Sequence, residues 1–135
     1  MLLHKKLGAW LPPGGHVEEY ELPQDAALRE IKEETGLDAQ LVNTNRLVFD
    51  ELKKLDGERV VQLIPPYNMQ LELIEENHYH IDFIYFAKAL GEKVGEKNNE
   101  SHFVKWFSQK DLVDEKNLWE EVRLGALRAL QVVDC

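Results

Sequence analysis

Three glutamates crowded onto one short helical stretch constrain this chain more than any other feature. In the segment from Pro23 to Gly36, PQDAALREIKEETG, the acids Glu30, Glu33 and Glu34 have only Arg29 as close compensation. Pro23 suits a first helical turn, where its missing N–H has no partner to lose. Gly36 suits the position just past the last turn, where a left-handed backbone is cheap. The residues between contain no Gly or Pro. The spacing therefore predicts a helix over Pro23–Thr35.

On a wheel of about 100° per residue centred on Glu30, Glu33 falls near −60° and Glu34 near +40°. Ala26, Ala27 and Ile31 fall on the same half, and Asp25, Leu28, Lys32 and Thr35 on the other. A surface helix normally separates its charges from its apolar stripe. This one mixes them. Taken alone, the cluster also fits a solvated acidic face, since like charges at i,i+4 cost only about 0.2–0.5 kcal/mol per pair. A divalent metal between the carboxylates is the sharper reading. The small side chains of Ala26 and Ala27 point the same way, because they allow close packing beside the acids.

The stretch before the helix, WLPPGGHVE from Trp10 to Glu18, is a short apolar run broken by two prolines and two glycines. Prolines stop strand pairing, and glycines allow close backbone approach. A glycine carbonyl there could reach a metal, and backbone N–H groups could reach phosphate. A plain turn is the ordinary alternative.

Loop and helix together resemble the signature of the Nudix hydrolase family, G-x5-E-x7-R-E-U-x-E-E-x-G-U, with U a bulky aliphatic residue. Gly15, Glu21, Arg29, Glu30, Ile31, Glu33, Glu34, Gly36 and Leu37 fill its fixed positions without a gap. The resemblance implies an α/β fold, an α/β/α sandwich with a mixed β-sheet. It also implies metal-dependent hydrolysis of a pyrophosphate bond in a nucleoside diphosphate linked to another group, with Mg²⁺ as cofactor and Mn²⁺ as alternative. By resemblance, Gly15, Glu30, Glu33 and Glu34 hold the metal, and Arg29 orients the carboxylates. Glu21 and Gly36 are structural. Related domains often add an acid from a later loop; here Glu100, six residues before Trp106, is favoured over Glu96 as ligand or base. Which carboxylate acts as base stays open, and Glu18 is a further candidate. A narrower enzyme reading is a sanitiser of oxidised nucleotides such as 8-oxo-dGTP. A non-enzyme reading is a nucleotide-binding or regulatory Nudix domain.

At 135 residues the chain reads as one domain, residues 1–135, long enough for a sizeable core. Its net charge of −9 argues against long nucleic acid as a partner, which calls for a basic face. It leaves a small phosphorylated substrate open, because a metal supplies positive charge. No apolar run approaches membrane-spanning length. The lone Cys135 forms no internal disulfide and suggests a reducing cytoplasm.

Elsewhere, Leu37–Leu52 and Arg59–Ile64 read as strands, Met69–Ile74 is ambiguous, and Asn77–Ala89 is the clearest strand. Phe103–Phe107 reads as a short strand and Ser108 as the cap of a short turn. Asn117 with Glu120 reads as a capping box for a helix over Leu118–Val132. Its stripe of Leu118, Val122, Ala126 and Leu130 suits core packing.

In the clearest strand, His78, His80 and Asp82 share a face. His80 and Asp82, with His16 and Glu18 beside the glycines, are candidate substrate contacts. Sheet-face polar residues with ordinary hydrogen bonds are the alternative. Trp10, Tyr79, Tyr85 and Trp106 are either core residues or platforms for a base. The sequence enters the motif almost at once, so a first strand of the fold is expected to be missing. An uncovered sheet edge would favour a homodimer.

Overall fold

The computed structural model describes residues 1–45, 51–57, 59–91 and 103–133. Its strands are β1 (Leu2–His4), β2 (Ala9–Leu11), β3 (Ala39–Leu41), β4 (Asn68–Glu75), β5 (His78–Ile84), β6 (Ala87–Ala89) and β7 (Phe103–Val104). Its helices are α1 (Pro23–Thr35), α2 (Gln109–Asp114) and α3 (Glu120–Val133). The described strands pair antiparallel in three ladders, β2-β1-β7, β3-β6 and β4-β5. The α/β class is as expected.

Helix α1 has the expected bounds. Pro23 occupies the first turn, and the Asp25 and Ala26 N–H groups both donate to the Leu22 carbonyl at 2.9 Å. At the other end Gly36 adopts φ 73° and donates its N–H to the Lys32 carbonyl at 2.9 Å. That is the left-handed cap that glycine makes without a Cβ penalty. Ala26 and Thr35 are buried, so one residue assigned to the outer half of the wheel faces the interior. Thr35 is satisfied there, donating to the Ile31 carbonyl at 2.5 Å and accepting from the Leu37 N–H at 3.2 Å.

Strand β1 lies between β2 and β7, with Leu3 opposite both Trp10 and Phe103. Trp10 is buried with Leu112 and Leu118, and Met1, Leu3, Phe107, Val122, Ala126 and Leu127 pack against them. Its ring meets Phe107 edge-on at 5.0 Å and Phe103 at 6.1 Å. Trp10 is therefore core and not a platform for a base. Arg123 of α3 ties the end of α2 into this cluster. Its guanidinium donates to the Leu112 carbonyl, to that of Glu115 at 2.8 Å, and to those of Val113 and Leu118 at 3.3 Å.

Several expected elements differ. Of the strand expected over Leu37–Leu52, residues 46–50 lie outside the described residues; among the described ones the strand is Ala39–Leu41, and Asn43 accepts from the Asn45 N–H at 3.0 Å and turns the chain. Residues 51–53 are helical. The strand over Arg59–Ile64 is absent from the described residues. Its backbone donors go elsewhere, Gln62 N–H to Asp56 at 2.7 Å and Ile64 N–H to Gln24 at 2.8 Å.

The strand over Asn77–Ala89 divides in two. Its first part pairs with β4 and its second with β3, and the Phe86 carbonyl accepts from Val42 N–H at 2.8 Å. Asn77, at φ 62°, belongs to the tight turn before β5. The ambiguous Met69–Ile74 is strand β4.

Only Phe103–Val104 of Phe103–Phe107 is strand. Ser108 caps a full helix, α2, in a reciprocal capping box with Asp111. Helix α3 begins two residues later than expected. Asn117 does not cap it; its carbonyl accepts the Trp10 N–H at 2.9 Å. Leu130 is exposed, so the partly buried residues of α3 that pack against the Trp10 cluster end at Ala126 and Leu127.

Candidate active site

The site is assembled by one guanidinium. Arg29 donates from Nε to Glu21 Oε1 at 2.8 Å and from Nη2 to Glu21 Oε2 at 3.0 Å. Its Nη1 reaches Glu30 at 2.7 Å and Glu33 at 3.1 Å, and its Nη2 also donates to the His16 carbonyl at 3.0 Å. The rigid fork of arginine suits this arrangement, since five donors in one plane can bind several carboxylates at once. The hydrogen bond from Arg29 holds the Glu21 carboxyl below the usual glutamate range, against a smaller opposing effect of burial.

The loop is clamped to the helix at two further points. Gly14 donates its N–H to Glu34 Oε2 at 2.9 Å. Gly15 lies so close to Glu30 that an added Cβ would stand 2.5 Å from the Glu30 Cδ. That close approach is the physical reason for glycine at position 15. Glu21 also closes its own turn: its Oε2 accepts the Glu18 N–H at 2.9 Å, and its own N–H returns to the Glu18 carbonyl at 3.1 Å. Glu18 thus enters the site through its backbone.

The hairpin β4–β5 supplies a second wall. The His80 ring stands edge-on to the His16 ring at 5.1 Å, and its Nε2 lies 3.0 Å from His78 Nε2. Asp82 accepts from Gln70 Nε2 at 3.2 Å on the same face. Glu72, opposite His80, has its carboxyl pushed upward by burial first and by Asp82 second. The structure therefore brings His16 and His80 together beside the glycine loop, with Asp82 on the same strand face. Tyr79 and Trp106 are exposed, and burial raises the Tyr85 phenol. Glu96 and Glu100 lie outside the described residues.

The donor set is all oxygen: the carboxylates of Glu30, Glu33 and Glu34 and the carbonyl of Gly15. That chemistry suits Mg²⁺ or Mn²⁺. Among the described residues no three acidic or imidazole groups converge on one point. Arg29 and the Gly14 N–H take up carboxylate oxygens instead. No described helix is long and apolar enough to cross a membrane.

Sequence reasoning passed over two features of the loop. Gly14 clamps Glu34, and Tyr20 adopts φ 65° with 98% of its surface exposed. Tyr20 stands one residue before the motif glutamate, in a loop tight enough to need a turn, but its own residue type gives no sign of that turn.

Comparison with known proteins bears on the family and the fold. A hydrolase of the NUDIX family from Clostridium perfringens has a solved structure that matches with a TM-score of 0.83 at 38% identity. The match covers 98% of this chain and 87% of that one. The m7GpppN-mRNA hydrolase NUDT17 of Xenopus laevis is 55% identical over 38 residues, 28% of this chain and 13% of that protein. The RNA pyrophosphohydrolase of Erythrobacter litoralis is 49% identical over 39 residues, 29% of this chain and 24% of that protein. The matched stretches are thus a small part of either curated relative. The family model for the NUDIX domain matches residues 2–130, and the chain belongs to that family.

Proposed function

We propose that this protein is a metal-dependent pyrophosphohydrolase acting on a nucleoside diphosphate linked to a further group. The observation that carries this reading is the Arg29 network, which gathers Glu21, Glu30 and Glu33 within 3.1 Å while Glu34 is held on the loop by Gly14. One guanidinium balances the charge of one carboxylate. Here three carboxylates surround it and a fourth stands beside it. Such a set of acids suits a site whose substrate arrives with cations.

Glu30, Glu33, Glu34 and the Gly15 carbonyl would hold Mg²⁺ or Mn²⁺. Such an ion offsets phosphate charge and makes a bound water more acidic. The chain's own part is positional. Arg29 fixes the carboxylates, Glu21 fixes Arg29, and the glycine loop brings backbone within reach of the phosphates. Glu100 is our candidate for an additional ligand or base. His16, His80 and Asp82 line the wall that the group beyond the pyrophosphate would meet.

The two curated relatives act, by their names, on RNA and on capped mRNA. Their matches to this chain run over only 38 and 39 residues, a stretch too short to carry a substrate wall. The net charge of −9 favours a small nucleotide over long RNA. The test is a panel of ADP-ribose, sugar nucleotides, dinucleoside polyphosphates, normal and oxidised nucleoside triphosphates and 5′-triphosphate RNA, with Mg²⁺ or Mn²⁺. Hydrolysis in ¹⁸O-water identifies the phosphorus attacked. The reading predicts Mg²⁺-dependent cleavage of a phosphoanhydride in a small member, abolished by chelator. Nucleotide binding without turnover of any member would favour a binding domain instead.

A further inference from the structure

Tyr20 has a costly backbone and no packing to offset it. It is the third residue of the turn Glu18–Glu21, which is closed by the Glu21 N–H on the Glu18 carbonyl at 3.1 Å. Its φ of 65° is the conformation that such a turn asks of glycine, and for a bulky side chain it is a steric outlier. Strain of this kind persists only where the surroundings over-determine it. Here they do. Glu21 is held through both carboxylate oxygens by Arg29 and also accepts the Glu18 N–H at 2.9 Å. The group that sets the shape of the turn is therefore the guanidinium that holds Glu30 and Glu33.

The ring gains nothing from this in the folded chain, being 98% exposed. It has company: Val17 and Leu22, on the same loop, are 44% and 41% exposed. The loop that carries Glu21 thus bears three exposed apolar side chains between Val17 and Leu22, the aromatic ring being the most exposed of them. Phosphates have no use for such side chains, but a planar base does. Bases stack on tyrosine through their faces, without regard to their hydrogen-bonding edges.

We propose that Tyr20 is a stacking platform for the nucleobase of the substrate. It selects base-bearing pyrophosphates over base-free ones without choosing among bases. This rests on the reading of the acids as a nucleotide pyrophosphohydrolase, and it assigns the ring a specificity role within that reaction.

The test compares wild type, Tyr20→Phe and Tyr20→Gly on the nucleotide turned over best and on inorganic tripolyphosphate. Glycine fits the turn, so the Gly variant removes the ring without disturbing the backbone, and an unlowered thermal midpoint verifies this. Loss of the ring is expected to raise nucleotide KM about tenfold, which is about 1.4 kcal/mol. The change should fall on KM rather than kcat, and Phe should restore the wild-type value. Tripolyphosphate KM should move less than twofold. A nucleotide KM within twofold of wild type in Tyr20→Gly overturns the proposal, as does an equal rise for tripolyphosphate.

A second arm needs no turnover: calorimetric binding of a nucleoside monophosphate with Mg²⁺, against inorganic phosphate. Tenfold weaker nucleotide binding in Tyr20→Gly supports the platform even if wild type hydrolyses nothing, in which case the hydrolase reading alone fails. Absent wild-type nucleotide binding, or binding indifferent to Tyr20, overturns it.

Discussion

The motif loop with α1 and the hairpin β4–β5 face each other across the site, and they are built on opposite rules. In the motif, charge is organised by charge: Arg29 binds three carboxylates, and two glycines press the loop onto the helix. In the hairpin, the polar face with Gln70, Glu72, His80 and Asp82 is the more sheltered one. Its other face pairs Met69 with Phe83, Leu71 with Ile81 and Leu73 with Tyr79, all six exposed. Antiparallel hairpins ordinarily turn apolar residues inward. The reversal teaches that the rest of the chain shelters this hairpin's polar face, while the motif owes its shape to contacts within a few turns of chain.

That contrast can be broken at several points. Short of removing a motif carboxylate itself, the largest effect is expected at Gly15→Ala. The new Cβ collides with the Glu30 carboxylate, so turnover should fall by roughly a hundredfold. A smaller loss would show that loop and helix are not pressed together in solution.

Arg123→Met provides a comparison outside the site. It strips hydrogen bonds from the carbonyls at the end of α2, and chemical denaturation should show a loss of about 2 kcal/mol with catalysis intact in the folded fraction.

The acid limb of stability sharpens the motif side. Arg29 depresses the Glu21 carboxyl in the folded state, so Glu21 contributes stability above its unfolded value. That contribution is lost as pH falls through the folded value. Glu21→Gln should therefore flatten the loss of stability below the ordinary glutamate range, read by thermal melts at descending pH. An unchanged acid limb would contradict the pairing.

The smallest effect is expected on the hairpin's outer face. Leu71→Thr and Ile81→Thr should each cost under about 0.5 kcal/mol, because 67% and 63% of these residues are already exposed. A loss of several times that size, with a change in sedimentation, would show the face covered by a second copy in solution.

How much of this was legible in the sequence follows the same divide. Helix α1 was legible to its ends because Pro23 and Gly36 encode those ends locally. The pairing of Arg29 with its acids followed from the resemblance of the motif, and the ring contact of His16 with His80 did not, since the two lie on different elements. Strand composition revealed β5 but not its division from β6, which depends on whether β4 or β3 offers a partner. The apolar run over Arg59–Ile64 looked like a strand. The Asp56 and Gln24 side chains took its N–H groups instead, a competition that composition does not register. Tyr20 was invisible for a related reason: a turn that glycine would ordinarily fill gives no warning when tyrosine fills it.

The central claim is that the carboxylates around Arg29 are the hydrolytic centre. Its most direct test is the Mg²⁺-dependent turnover of folded Glu34→Gln protein beside wild type, on whichever substrate the panel reveals. The account predicts a loss of at least a hundredfold with an unchanged melting profile. Full turnover by the variant would contradict it.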